Sequence, residues 1–296
     1  MVARYGGALS GVEDGAQVEM KIVGTVVIYN ADESVINNIL SYYDIVEVLF
    51  VCDNSTIANE RLLNRLYALP KIRVIPMEGN MGIAAALAAG LRAARETGCD
   101  YCLTMDQDSI FPTDKTDIIK NYLSAPDADD YGIIGLDFNN PTEEHSLKEV
   151  KLLLTSGNFI NMKNYAQING FMEELFIDYV DFELDEQFFN IGKKLAYITG
   201  VSLVHTIGNP ITKKFFGIKF TCMNHSPVRY YYRFRNALYL YRRNKKFYGE
   251  RYRHDLFIDI PKVILFERNK LKKLKMIARG RRDARSGRLG EYKGSV

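Results

Sequence analysis

An α/β architecture on a mixed, mostly parallel sheet, with a helical region appended at the C-terminus, is the fold class this sequence predicts. Three observations carry it. Short runs of consecutive apolar residues recur along the first half of the chain, as strands buried on both faces require. Helix-like stretches separate these runs, and such alternation predicts parallel pairing with right-handed crossovers. From Ser226 onward the pattern turns helical, basic and aromatic.

The elements follow in order. Residues 1–20 are rich in Gly, Ala and Ser without periodicity, and predict a disordered segment. The near-continuous apolar run Ile22–Tyr29 predicts the first strand, and a helical stretch follows through Leu40. Val46–Cys52 predicts a second strand that ends in Asp53-Asn54-Ser55. A helix is expected over Thr56–Tyr67 and a third strand over Ile72–Pro76. Gly79-Asn80-Met81-Gly82 then opens an Ala-rich helix, Ile83–Thr97, and Tyr101–Met105 predicts a fourth strand. Beyond Phe111, a helix is expected over Ile118–Leu123 and strands over Tyr131–Phe138, Val150–Leu154 and Leu195–His205. Thr155-Ser156-Gly157-Asn158 reads as a polar turn into Phe159-Ile160. The division expected is 1–20 disordered, 21–227 the α/β domain, and 228–296 a basic, aromatic helical region.

Composition excludes several classes. The sequence has 296 residues, 47% hydrophobic and 25% charged, which is ordinary for a globular chain with a sizeable core. There is no uncharged apolar stretch of about 18 residues, so no spanning helix is expected, and no apolar run behind a basic start, so no signal peptide is expected. Cys99 and Cys102 form a C-x-x-C with no second pair, which argues against zinc and for free thiols in a reducing cytoplasm. The net charge of +3 conceals an asymmetry. Residues 229–296 carry 21 Lys+Arg against 6 Asp+Glu, whereas 1–228 carry 18 against 30. A basic tail on an acidic body favours an anionic surface. No nucleic-acid-binding motif accompanies it, so no nucleic-acid partner is expected.

Polar clusters follow three strand ends, and ligands of such sheets bind beyond the carboxyl ends of the strands. Asp106 and Asp108 flank Gln107 after the fourth strand. Two carboxylates so close repel unless a cation sits between them, and they suit a hard divalent ion such as Mg2+ or Mn2+ with phosphate oxygens completing the shell. Asp53 can accept hydrogen bonds from a nucleobase or ribose, or cap the next helix. Asn80 and Gly82 precede a helix N-terminus, where amides favour phosphate. G-x-G-x-x-G is absent, which argues against a dinucleotide cofactor.

At this point the chain resembles the inverting nucleotide-sugar glycosyltransferases of family 2, with the GT-A fold, and more narrowly their rhamnosyltransferase-like branch. The stretches that carry the resemblance are T-V-V-I-Y-N (25–30), C-D-N-S (52–55), N-M-G-I-A-A-A-L-A-A-G (80–90), M-D-Q-D-S (105–109), S-G-N-F-I (156–160), F-I-D-Y-V-D-F-E-L (176–184) and R-N (235–236). The resemblance implies that Tyr29 and Asp53 line the nucleobase pocket, and that Asn80 and Gly82 approach the ribose and diphosphate. Asp106 and Asp108 would be the metal-binding pair, with Asp106 also facing the nucleotide and His205 completing the metal site. Asp181 would be the general base, and Ser156, Gly157, Asp178 and Arg235 would face the acceptor or the donor sugar. Implied partners are a nucleoside-diphosphate sugar and a glycan or lipid-linked glycan, in surface polysaccharide assembly. The sequence departs from the family pattern at Ala88, where asparagine is usual, and at Gln187, near which arginine is frequent.

Apolar residues beside dense Lys and Arg in 257–282 suggest amphipathic helices on an anionic membrane. The chain is thus expected in the cytoplasm, peripheral to the inner membrane face. The aromatic run Tyr230–Phe234 reads as packing, and the aromatic, basic tail is a candidate homo-oligomer contact. Two other readings are open. D-Q-D-S-I-F also looks like a haloacid-dehalogenase-type phosphatase motif, but three strands precede it where that motif lies on the first. A non-catalytic nucleotide-sugar-binding relative would explain Ala88 and Gln187, but not the retention of Asp106, Asp108 and Asp181.

Overall fold

The consecutive apolar runs become strands of one sheet, with Ile72–Pro76 at its edge. The computed structural model describes residues 20–138, 142–205, 211–215, 218–222 and 224–294, without the side chains of 205, 211–215 and 218–222. The expected disordered segment 1–20 lies, apart from Met20, outside the described residues.

β1 (Ile22–Ile28) is buried at every position. It pairs in parallel with β2 (Val48–Asp53) on one side and β4 (Tyr101–Asp106) on the other, and β3 (Ile72–Pro76) continues beyond β2. The crossovers are α1 (Val35–Leu40), α2 (Glu60–Tyr67) and α3 (Ile83–Glu96). α2 begins later than expected because Asn59 caps it, its side chain accepting from the Leu62 amide at 3.2 Å. α3 lies tight on the sheet. A Cβ at Gly90 would stand 1.9 Å from Thr25 Oγ1, so glycine is required at that crossing.

β5 (Ser109–Ile110), α4 (Thr116–Leu123), β6 (Tyr131–Phe138), β7 (Leu147–Val150), β8 (Asn158–Asn161), α5 (Met162–Tyr165), α6 (Val180–Asn190) and β9 (Lys194–His205) complete the α/β layers. The sheet runs β3-β2-β1-β4-β8-β6-β9-β5, with β7 also on β9. β1–β4, β6 and β9 point one way, and β5, β7 and β8 run against them. The strand expected over Val150–Leu154 is a correction: β7 ends at Val150. Leu153 is instead a buried loop residue whose amide donates to the Asp185 carboxylate at 2.7 Å.

A small hairpin, β10 (Ile211–Phe215) with β11 (Ile218–Cys222), precedes the helices α7 (Pro227–Arg243), α8 (Lys245–His254), α9 (Ile260–Phe266) and α10 (Lys270–Arg285). A π-helical turn, Asp255–Asp259, joins α8 to α9. Ser226 caps α7 and Pro227 opens it. These helices share a core with the sheet: Leu238, Leu240, Tyr248 and Ala284 pack in one cluster with Cys52, Leu87 and Val180. The change of composition at 227 is therefore not a change of core. α10 crosses α7 at Gly280, where a Cβ would meet the Tyr231 carbonyl at 2.3 Å. The aromatic run is consumed inside the chain, with Tyr230, Tyr231, Tyr232 and Phe234 all at most 4% exposed. These four rings are therefore internal packing, as the sequence suggested. No helix among the described residues is long and apolar enough to cross a membrane.

Candidate active site

The parallel strands deliver carboxylates to one edge. Asp53 is in register with Ile28 and Asp106 with Val27, so the two aspartates flank the end of β1, one strand to each side. Two strand spacings put their backbones about 10 Å apart. Asp53 is 8% exposed and accepts from the Ser55 amide at 3.2 Å. Tyr29, at the tip of β1, keeps 43% exposure.

The D-Q-D turn is built by residues around it. The Asp106 amide donates to Ser156 Oγ at 3.0 Å, and Ser156 Oγ donates to Ser109 Oγ at 2.8 Å. Gln107 Oε1 accepts from the Tyr29 amide at 2.7 Å, and its carbonyl accepts from Asn38 at 2.8 Å. The middle residue therefore ties the turn to β1 and α1, leaving Asp106 half-buried and Asp108 exposed at the mouth. β5 pairs with β9 immediately afterwards and sets Ser109 opposite His205. The His205 backbone thus stands beside the residue that follows Asp108; its side chain is not described. Two carboxylates at an open mouth are oxygen donors of the kind a hard divalent cation takes.

Asn80 and Gly82 serve the protein more than an open phosphate site. Asn80 Oδ1 accepts from the Gly82 amide at 3.1 Å and from Asn54 Nδ2 at 3.2 Å, and Asn54 Oδ1 takes the Met81 amide at 2.8 Å. The Ala84 amide donates to the Phe176 carbonyl at 3.2 Å. A Cβ at Gly82 would lie 2.6 Å from that carbonyl oxygen. Glycine here permits close packing of the 176 segment on α3, and three amides at this helix end already have protein acceptors.

Asp181 sits in the first turn of α6. Burial pushes its carboxyl up to about 7, and the negative charges of Asp178 and Asp106 add to the rise against the hydrogen bond from the Phe182 amide. The fold thus brings Asp181 within electrostatic reach of the D-Q-D turn. Asp178 is paired with Arg229 at 3.3 Å.

Three expected substrate contacts are corrected. Arg235 is fully buried, its guanidinium bonded to the Glu174, Leu175 and Gly290 carbonyls, so it does not face a sugar. Ser156 is 1% exposed and committed to Asp106 and Ser109. Gly157 is buried at φ 76°, its amide bonded to the Thr104 carbonyl, and is a turn glycine. Ala88 is a core residue, and Gln187 ties the Asn169–Gly170 loop to Glu183. A cavity of about 700 Å³ opens nearby, lined by Asn80, Met81, Phe171, Glu174 and Phe176 among others. None of Asp53, Asp106, Asp108 and Asp181 lines it.

Gln107, Asn54 and Asn236 were not singled out from the sequence as site residues. The signal for Gln107 was its position between the aspartates. Nothing in the sequence shows that Asn236 binds the loop before Asp181.

This arrangement defines a GT-A-type nucleotide-sugar transferase fold, with acidic residues gathered at the carboxyl edge of a mixed sheet. Residues 26–180, just over half of the chain, match the family described as Glycosyl transferase family 2. The chain is 30% identical over 213 residues to the dTDP-rhamnosyl transferase RfbF of Shigella flexneri, covering 66% of this chain and 70% of that one. The chain belongs to glycosyl transferase family 2 and is a rhamnosyltransferase-like member of it. Among solved structures it resembles S. aureus TarS residues 1–349 with a TM-score of 0.53 at 13% identity, covering 93% of both chains. It spans 44% of a longer TarS chain, with a TM-score of 0.52 at 13% identity over 89% of this chain. GalNAc-T7 with UDP, GalNAc and Mn2+ gives 0.54 at 11% identity, covering 90% of this chain and 56% of that one. At these identities the structures speak for the fold alone. The family match ends at residue 180, one short of Asp181.

Proposed function

We propose that this glycosyltransferase is metal-dependent and inverting, and moves rhamnose or a related sugar from a nucleoside-diphosphate donor to a glycan or lipid-linked glycan in surface polysaccharide assembly. The observation that carries the reading is that Asp181, its carboxyl raised to about 7, lies within electrostatic reach of Asp106 in the D-Q-D turn at the sheet's carboxyl edge. The name of the RfbF relative supports dTDP-rhamnose as donor.

In this reading Tyr29 and Asp53 hold the nucleobase end of the donor. Asp106, Asp108 and His205 would hold Mg2+ or Mn2+, which would supply positive charge to offset that of the departing diphosphate. Asp181 accepts the acceptor hydroxyl's proton as the oxygen attacks the anomeric carbon, and a carboxylate raised toward 7 suits that work at neutral pH. Bond making and breaking on opposite faces inverts the sugar centre. Asp178 and Arg229 flank the acceptor side as an ion pair. The donor assignment is tested by binding a panel of nucleotide sugars with and without Mn2+. Selective retention of dTDP-rhamnose supports the reading; selective binding of a different sugar nucleotide overturns the donor.

The membrane is the proposed location of the acceptor. Phe257, Ile258, Ile264, Leu265 and Leu271 are each at least 44% exposed, and they lie among Lys262, Arg268, Lys270 and Lys272. Apolar side chains projecting beside cations suit an anionic cytoplasmic leaflet.

A further inference from the structure

Asp181 is reached through a backbone that few sequences would adopt unaided. Phe176, Asp178 and Tyr179 have φ of 66°, 65° and 67°. Residues with a Cβ rarely enter this region, and remain there only where the surroundings over-determine them. Such a path turns successive carbonyls away from one another, and buried carbonyls need donors.

Two side chains of α7 supply them. Asn236 Nδ2 lies 2.9 Å from the Leu175 carbonyl, 2.9 Å from Ile177 and 2.8 Å from Asp178. Arg235 Nη2 donates to the Glu174 carbonyl at 3.1 Å and to Leu175 at 2.9 Å, and Nη1 to Gly290. Arg235 Nε donates to Asn236 Oδ1 at 2.9 Å, which fixes the amide with its NH2 toward the loop. Both residues are fully buried. The Arg235 guanidinium bonds to backbone carbonyls and to Asn236, and rings of Tyr231 and Tyr232 flank it. Burying a cation on carbonyl dipoles is a costly way merely to fill a core. The same stretch is held at its far end by Tyr179 Oη, which donates to Asp255 at 2.6 Å, and from α3 by the Ala84–Phe176 bond.

We infer that Asn236 and Arg235 are positioning residues for the transfer step, holding residues 174–178 in the left-handed path that aims Asp181 at the acceptor. The role rests on Asp181 being the base. It differs from the substrate contact the sequence suggested for Arg235, since neither side chain reaches a substrate.

The test uses the full chain, dTDP-rhamnose as donor and water as surrogate acceptor, with dTDP release as the readout. The variants are Asn236→Leu, which keeps the branched shape and removes the donors, Asn236→Gln, which keeps the donors, and Asp181→Asn. Asn236→Leu should lower kcat about 100-fold, the scale of a reacting group displaced by about 1 Å, with KM for the donor unchanged. Asn236→Gln should recover part of the loss. Full kcat in Asn236→Leu beside an inactive Asp181→Asn overturns the positioning role and leaves the base intact. Full kcat in both overturns the base and the positioning role together. A raised KM at unchanged kcat in Asn236→Leu also overturns the inference, because it marks donor binding. Should Asn236→Leu fail to fold, Asn236→Ala decides. Removing the amide altogether should again lower kcat at constant KM, and full kcat would overturn the inference.

Discussion

Asp181→Asn should make the protein more stable and less active at once, with the stability gain growing from about pH 4 to a plateau above pH 7. Burial lifts the Asp181 carboxyl from its ordinary 3.8 to about 7. The folded state therefore holds this proton more tightly than the unfolded chain does. Asp181 contributes stability that is fully present below 3.8 and lost as pH rises through 7. At pH 8 the native protein keeps a charge its surroundings disfavour. The rise corresponds to about 4 kcal/mol, and screening at a partly exposed side chain halves this to about 2 kcal/mol. Asparagine has nearly the same shape and no charge to desolvate. In EDTA, so that no cation offsets the neighbouring Asp106, the melting temperature at pH 8 should rise by about 5 °C. The gain should shrink as pH falls through 7 and vanish near 4. Transfer should fall by about 100- to 10,000-fold, the usual contribution of a general base. Equal melting temperatures at pH 8, or a gain that persists unchanged at pH 4, would refute the reasoning.

Further outcomes follow from the same structure. Wild-type turnover should fall on the acid side with an apparent pKa near 7 as Asp181 takes up its proton; an acid limb near 4 would contradict its burial. Lys273 and Glu267 form a buried pair at 2.7 Å, so Lys273→Met should cost about 3–5 kcal/mol by stranding Glu267, measured by urea denaturation. Phe257→Ser with Leu265→Ser should reduce sedimentation with anionic vesicles while leaving the melting temperature within about 2 °C, the range of surface substitutions. Unchanged sedimentation would remove the membrane from the account. Deleting residues 255–296 is a poorer test, because α10 covers Tyr231 and Met276 closes the cluster around Tyr232.

How far the sequence could be read depended on what kind of signal each residue carried. β1, β2 and β4 were legible because strands flanked on both sides in a sheet read as near-continuous apolar runs, and their order alone put Asp53 and Asp106 at one edge. The Asp181 helix was legible as a motif, yet not the three positive-φ residues before it, since Phe176, Asp178 and Tyr179 are not turn-forming glycines. Arg235 and Ser156 were misread for a common reason. A polar residue in a motif suggests a substrate contact, and only the structure shows that burial has already spent its hydrogen bonds on the protein. Val150–Leu154 was read as a strand from its run of Val and Leu, but only Leu153 is buried and Leu154 is 52% exposed. The C-terminal helices carry enough charge to look detached, while Ala237, Leu238 and Leu240 anchor α7 in the sheet's core and Gly280 seats α10 on α7.

The central claim is that Asp106 and Asp108 hold a cation against the donor's diphosphate. A thermal-shift screen of nucleotide sugars with Mn2+, with Mg2+ and with EDTA, on wild type and Asp108→Ala, tests it most directly, because a ligand bound only by the native state raises the melting temperature by mass action. The account predicts a rise with dTDP-rhamnose that needs the cation and disappears in Asp108→Ala. A rise of equal size in EDTA, or one that survives Asp108→Ala, would contradict it.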